Sequence, residues 1–497
     1  MEKKLSKKYW LIVMASFKSD ESFLEKISIG AIGAKKVFEY LQNQELDPIE
    51  LERGSMNYKI WKKIKIKRIR VPDILCVRCG IRIESRAKTK LEISMSHSLS
   101  DPERGWDYGM KDNDYVAFVV CGKIGERPID WQADNLIQFV SIKNLRQAEK
   151  EKMVLYVKPK GSEEGFEARI TWPAATASAD GIIKESTAER IQYEREKDGR
   201  IISLKTSKKG LKMIPLVHTG DIVHKNQVLA SVIPVSMTFS CDSVDYNYFL
   251  GNLSNPALSE RYTASKALSF FNNSEVQTSL SSLLDNPDEH IYVKLEAAAS
   301  LARFGISQGY NFIKKCIGSS YLQNVLESVI VLAEIKTDTS CKMLCDILND
   351  NNNDPEIRAA AAWGIGELKN KTALDALVRS FSEVNENIKI EAARSLAKLT
   401  KNYSPEILNS FTKSTAIQKP GIAWALTKSN SIVLDQLINA LSDDDSKHWI
   451  SYIIGTQGES RYITDIEKLK TKYPEVYFAV TVLWKIMTSW VYKLNEY

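Results

Sequence analysis

The C-terminal half of the chain repeats itself. RYTASKALSFF from Arg261, VKLEAAASLARF from Val293, VLESVIVLAEI from Val325, IRAAAAWGIGEL from Ile357 and IKIEAARSLAKL from Ile388 recur about every 31–33 residues. Weaker copies follow at IQKPGIAWALTK (Ile417), KHWISYIIGTQ (Lys447) and VYFAVTVLWKI (Val476). Each copy is rich in small and apolar residues, with apolar positions three and four apart, the spacing of a helix face. One such unit cannot bury its own apolar face. Copies must therefore stack, and small alanines let neighbouring helices approach closely. This requirement predicts an α-solenoid over residues 250–497, of about eight units, with an atypical, aromatic-rich C-terminal cap.

The pattern, above all DPEIRAAAAWGIGELKNKTALDALVRSF, resembles HEAT repeats of the short type related to the PBS-lyase repeats. The resemblance implies a surface that holds a protein or nucleic-acid partner. It implies no chemistry of its own.

A chain of 497 residues has room for about three domains. With 44% hydrophobic and 26% charged residues it belongs with folded rather than disordered proteins. A net charge of +6 does not by itself demand nucleic acid, but Lys and Arg crowd into KIWKKIKIKRIR, residues 59–70. The apolar run Tyr9–Phe17 is expected to be a first strand rather than a leader peptide. No run reaches the ~20 apolar residues of a membrane span. Seven cysteines at irregular spacing suggest reduced thiols and a cytoplasmic protein.

Residues 150–249 read as a β-rich connecting module. Its candidate strands are MVLYVKP, FEARITWP, GRIISLKT, MIPLVHTGDIV and QVLASVIPV. HTGDIVHKNQVLASVIP resembles the hairpin of barrel-sandwich hybrid domains such as lipoyl and biotinyl carriers. SKKGLKMIP does not match the carriers' modifiable lysine, so the expectation is a barrel-sandwich-like connector and not a carrier. His218 and His224 read as turn residues.

Residues 1–149 hold the candidate chemistry. A helix is expected over ESFLEKISIGAIGAKKVFEYLQN, followed by the basic strand 59–70 and then RVPDILCVRCGIRIESRAKTK. The last stretch forms two apolar runs joined by a Cys-Gly turn. Residues two apart on a strand share a face, so Ile81 and Ile83 point to the core while Glu84, Arg86, Lys88 and Lys90 share the other side. An Asp73 at one strand end can meet Glu84 on the neighbouring strand, and two such carboxylates suit Mg²⁺ (or Mn²⁺). A nearby cation would steady water and the charge growing on a phosphate.

This arrangement resembles the PD-(D/E)xK nuclease superfamily, over about 120 residues. The resemblance implies an α/β restriction-endonuclease-like domain and a metal-dependent DNA endonuclease, with restriction, phage defence or repair as its setting. Asp73 and Glu84 take the metal-binding positions, Glu25 the helix acid and Glu39 its reserve. Arg86 stands where the family has Lys, and Lys88 is the substitute one step further along. Arg orients a phosphate but is a poor acid or base. Lys59, Lys63, Lys65, Lys67, Arg68 and Arg70 are the candidate DNA contacts. The residues leave a second reading open: a non-catalytic adaptor that binds DNA or protein through its folded modules. Cys76 and Cys79 make half of a zinc knuckle, which His97 and Cys121 could complete only at awkward spacing. A hairpin with cysteines in it is the plainer reading. The polar loop MSHSLSDPERGWDYGMKDND reads equally as a functional loop or a turn. Walker and nucleophile-elbow motifs are missing from the sequence.

Overall fold

The computed structural model describes residues 2–56, 64, 68–158 and 167–489. The chain divides into two compact units. One is formed by residues up to 60 and 68–279, the other by residues 61–67 and 280–497.

In the first unit a long helix, α1 (Glu2–Asn43), packs on a five-stranded sheet. The sheet runs β1 (Pro48–Glu50), β2 (Ile74–Cys76), β3 (Arg82–Lys88), β5 (Tyr115–Lys123) and β6 (Trp131–Ser141), with β4 (Ser94–His97) elsewhere. Neighbours are antiparallel except β3 and β5, which are parallel. The strand period of two separates the faces. Ile83, Ala117, Val119 and Phe139 point at Val37 and Leu41 of α1. Gly33 is where the helix crosses β3, and a Cβ there would stand 2.4 Å from the Ala87 Cβ. Tyr9–Phe17, expected as a strand, lie inside α1. A nine-residue apolar run fits either element, and the absence of Gly or Pro before Gly30 lets the helix continue through it.

The opposite face of the sheet carries Val116, Phe118, Val120 and Val140, which bury against Ile93, Met95, Trp106, Leu145, Ile170 and Trp172. These come from α2 (Ile142–Lys150), from the loops, and from a second sheet in which β4 pairs with β8 (Ala168–Thr171) and β8 with β7 (Leu155–Val157). Residues 150–171 thus complete the packing begun by the first 149. Further on, β9 (Ala174–Thr176) joins Val228–Ser231 and Ile214–Pro215 in a small sheet. The strands β10 (Gly181–Ser186), β11 (Arg190–Arg195) and β12 (Ile201–Lys205) form another with Ile222–Val223. Ile183, Ile191, Tyr193, Met213, Val223 and Leu229 make the core between them. Two helices, α3 (Tyr246–Asn252) and α4 (Leu258–Ala267), close the unit.

Every repeat segment is helical. The first copy lies in α4, and the rest fall in Ile291–Arg303, Leu322–Ile335, Pro355–Leu368, Glu386–Lys413, Lys419–Leu426, Asp444–Gln457 and Pro474–Thr488. Ser307–Ile317, Asp338–Asn349 and Leu374–Arg379 alternate with the early copies as second helices. Glu386–Lys413 supplies both helices of its repeat. It breaks at Tyr403 (φ −131°, ψ 30°), two residues before Pro405, whose ring cannot continue the preceding turn. The alanine seams are fully buried at Ala297–Ala299 and Ala360–Ala362. Polar ties link successive repeats, with Arg358 paired to Glu383 at 2.5 Å and Lys419 to Asp443 at 2.9 Å. Among the described residues no helix is long and apolar enough to cross a membrane.

Candidate functional site

The β2–β3 register pairs Ile74 with Ile83 and Leu75 with Arg82, which sets Asp73 opposite Glu84 one step further out. On the other side β1 pairs with β2 so that Leu51 and Glu52 flank Asp73, and both of their N–H groups donate to the Asp73 carbonyl, at 2.7 and 3.3 Å. Three neighbouring segments of the sheet therefore bring Glu52, Asp73 and Glu84 near one another. Sequence reasoning does not single out Glu52. Its signal there is only an acid two residues past a short strand, in DPIELERGS, and the pairing that carries it to Asp73 spans 20 intervening residues.

Asp73 and Glu84 are held by different partners. Asp73 Oδ2 accepts the Ser85 N–H at 2.7 Å, and Glu84 Oε1 pairs with Arg86 Nη2 at 2.9 Å. Asp73 and Glu84 are both buried, because β3 lies beside the apolar row of β5. Burial, with Glu84 and Glu52 nearby, raises Asp73 well above the usual carboxylate range, against the opposing pull of the Ser85 N–H and Arg86. Burial and then Glu84 push Glu52 up to about 7, although Arg68, Arg86 and Arg70 oppose them. Arg86 is raised above its ordinary value, chiefly by Glu84, and burial opposes this. The first acid of the strand face is thus paired with the cation two positions on, while Asp73 and Glu52 hold their protons above the usual carboxylate range.

Lys88 occupies the next step on the same face. Its Nζ donates to the Ser94 carbonyl at 2.8 Å and to Ser94 Oγ at 2.6 Å. Burial pushes it down to about 8, helped by Arg169 and Arg86 and resisted by Glu92. Glu25 is not at this place, which corrects the expectation that it supplies a metal ligand. It pairs with Lys123 at 2.7 Å, and Lys123 lies seven residues along β5 from Val116, the partner of Glu84. At ~3.3 Å per residue that is roughly 23 Å. Position along the helix decides this: Glu25 lies 12 residues before Val37 on α1, about 18 Å along its axis at ~1.5 Å per residue. Glu39 pairs loosely with Lys35 at 3.9 Å.

Of the candidate DNA contacts, Lys59, Lys63, Lys65 and Lys67 lie outside the described residues. Arg68 donates to the Arg53 carbonyl, and Arg70 to the Glu103 carbonyl at 2.7 Å. Both are spoken for by backbone, and residues 68–70 form no strand. Among the described residues, one group of three or more His, Cys, Asp or Glu has all its ligand atoms within 4.8 Å of one another: Cys76, Cys79 and Cys241. Glu52, Asp73 and Glu84 do not form such a group. The two predicted completions of the CxxC are elsewhere, with His97 Nδ1 accepting the Trp106 N–H at 3.3 Å and Cys121 beside the Ile29 carbonyl at 4.0 Å.

Residues 341–420 match the family model of HEAT repeats. No curated protein matches the chain. Among solved structures, the chain is similar to a computationally designed armadillo repeat protein for modular peptide recognition, at 17% identity. That match covers 37% of this chain and 100% of the other, with a TM-score of 0.22. It is also similar to the complex of CpcE and CpcF of phycocyanin lyase from Nostoc sp. PCC7120, at 14% identity, over 50% of this chain and 96% of that one, TM-score 0.25. An engineered protein matches at 18% identity over 37% of this chain and 96% of its own, TM-score 0.23. Residues 341–420 are thus a HEAT-repeat segment within a longer run of helical repeats.

Proposed function

We propose that this chain is a binding scaffold whose HEAT-type array holds a protein partner. The match over residues 341–420 carries the reading. It is supported by apolar side chains left in water on turns that lead into successive repeats. Tyr321 is 67%, Val384 95% and Ile417 70% exposed, and each precedes a first helix of its repeat. Neighbouring turns carry Asp350 and Asp354, so the edge suits a partner with apolar anchors and basic residues between them. The test is affinity capture by the full chain followed by binding measurements on the purified partner. Val384→Asp with Ile417→Asp should weaken that partner at least ~10-fold, while Asp73→Asn leaves it unchanged. Equal affinity for the double variant refutes a partner on this edge.

A second reading rests on one observation, the electrostatic coupling of Glu52, Asp73 and Glu84. These are hard oxygen donors suited to Mg²⁺ or Mn²⁺, and a bound ion would stabilise charge on a phosphodiester. Asp73, Glu84 and Glu52 would hold it, Arg86 would orient a phosphate oxygen, and Lys88 would exchange a proton with water near neutral pH. DNA is the proposed substrate of this reading. Supercoiled plasmid with Mg²⁺ or Mn²⁺ should be nicked by the wild type, with Asp73→Asn and Glu84→Gln each reducing the rate at least ~100-fold. Nicking that survives both substitutions comes from a contaminant and removes the enzyme reading.

A further inference from the structure

The cysteine cluster is not absorbed by either reading. Cys76 ends β2, Cys79 sits in the turn to β3, and Cys241 arrives from a segment 162 residues beyond Cys79. Cys76 Sγ is 3.0 Å from Cys79 Sγ and 3.8 Å from Cys241 Sγ. Cys79 and Cys241, with Cα atoms 5.9 Å apart, are bridged as a disulfide. A disulfide explains two sulfurs and leaves the third without a purpose. The geometry points to a site in the reduced protein at which Cys76, Cys79 and Cys241 bind one thiophilic divalent ion of the zinc class.

Four observations support the site. Tetrahedral zinc–thiolate bonds of ~2.3 Å place sulfurs about 3.8 Å apart, close to the Cys76–Cys241 separation. The turn is built as a metal knuckle. Gly80 at φ +70° follows the second cysteine, its N–H donates to the Cys76 carbonyl at 2.8 Å, and the backbone N–H groups of Cys79 and Arg78 hydrogen-bond the Cys76 sulfur. Burial raises the Cys76 thiol above its ordinary value, and these N–H groups oppose that rise. A side chain at Gly80 would be strained, since φ is positive and a Cβ would stand 2.4 Å from the Tyr248 ring. Cys79 also borders, with Asp242, an open cavity of about 410 Å³, which gives the cluster access from one side. Finally, Cys121, Cys316, Cys341 and Cys345 are all unbridged, as suits a chain kept reduced. Binding displaces the thiol protons, and Cys76 gives up its hydrogen bond to the Leu46 carbonyl. The ion and the Cys79–Cys241 bridge use the same sulfurs, so they exclude each other.

The experiment uses the full chain purified without chelator and kept reduced with a phosphine. Metal analysis should find about one zinc per chain, and Co²⁺ exchange should give sulfur-to-cobalt charge-transfer absorption. Cys76→Ser and Cys241→Ser should each lower zinc content at least ~5-fold, while Cys341→Ser leaves it unchanged. Zinc should also shield three thiols of the folded wild type from alkylation, a readout independent of variant folding. Reduced wild type that takes up no zinc or cobalt, or zinc that leaves all three thiols reactive, overturns the proposal. So does peptide mapping that finds the Cys79–Cys241 bridge intact in protein loaded with zinc.

Discussion

Arg82→Ala should destabilise the first unit by about 3–5 kcal/mol, the scale for removing one partner of a buried ion pair. Arg82 is wholly buried. Its guanidinium grips Asp114 through Nε at 3.1 Å and Nη2 at 2.6 Å, and reaches Glu260 of α4 with Nη1 at 2.8 Å. Glu260 is held in turn by Lys111 at 3.0 Å, which also donates to the Tyr248 hydroxyl at 2.8 Å. Removing the cation strands Asp114, itself 0% exposed, with a charge that water cannot reach. The loss should appear as a lower urea midpoint and as faster hydrogen exchange in β3 and β5. Arg82→Met combined with Asp114→Leu should recover most of it, because the pair then leaves no orphaned charge. If the single variant exchanges at the wild-type rate, this network does not hold α4 to the sheet.

The same strand shows how far sequence alone reaches. Alternation places Ile83 in the core and Glu84, Arg86 and Lys88 on the opposite side, and the structure bears out that division. It does not reveal that Arg82, on the polar side, is sealed by an acid 32 residues away and another on α4. The solenoid is the most legible part, since its signal is local and repeated. The β10–β11 hairpin escapes a sequence reading: GIIKES and RIQYER place Lys, Glu, Gln and Arg on the outer face and only Ile183, Ile191 and Tyr193 inward. Glu52 and Cys241 are out of reach for one reason. Each joins its site through pairing between distant segments, which composition and spacing do not encode. The nuclease resemblance rests on Asp73, Glu84 and Arg86, whereas the fold supports a narrower statement: three carboxyl groups share a poorly solvated place, with Glu84 tied to Arg86.

That crowding has a pH signature of definite sign. Glu52 holds its proton up to about 7 in the folded chain, against an ordinary value of 4.5. Between those values the folded state binds more protons than the unfolded one, so stability falls as pH rises through the window and levels off above it. The full difference is about 3 kcal/mol at ~1.4 kcal/mol per unit, and Asp73 shifts in the same direction. Glu52→Gln should therefore be more stable than wild type at pH 8 by up to about 3 kcal/mol, and equal to it near pH 4. Urea titrations followed by hydrogen exchange in β3 measure this at both pH values. Because burial and Glu84 cause the shift, a cation placed among the carboxylates would relieve it. Mg²⁺ or Mn²⁺ should then stabilise wild type at pH 8 and much less at pH 6, where protons compete for the same oxygens. Glu52→Gln and Asp73→Asn should blunt that gain. A metal-dependent gain equal in all three proteins would place the ion elsewhere, and a wild type whose stability is flat from pH 5 to 8 would mean that Glu52 is solvated and free of Glu84.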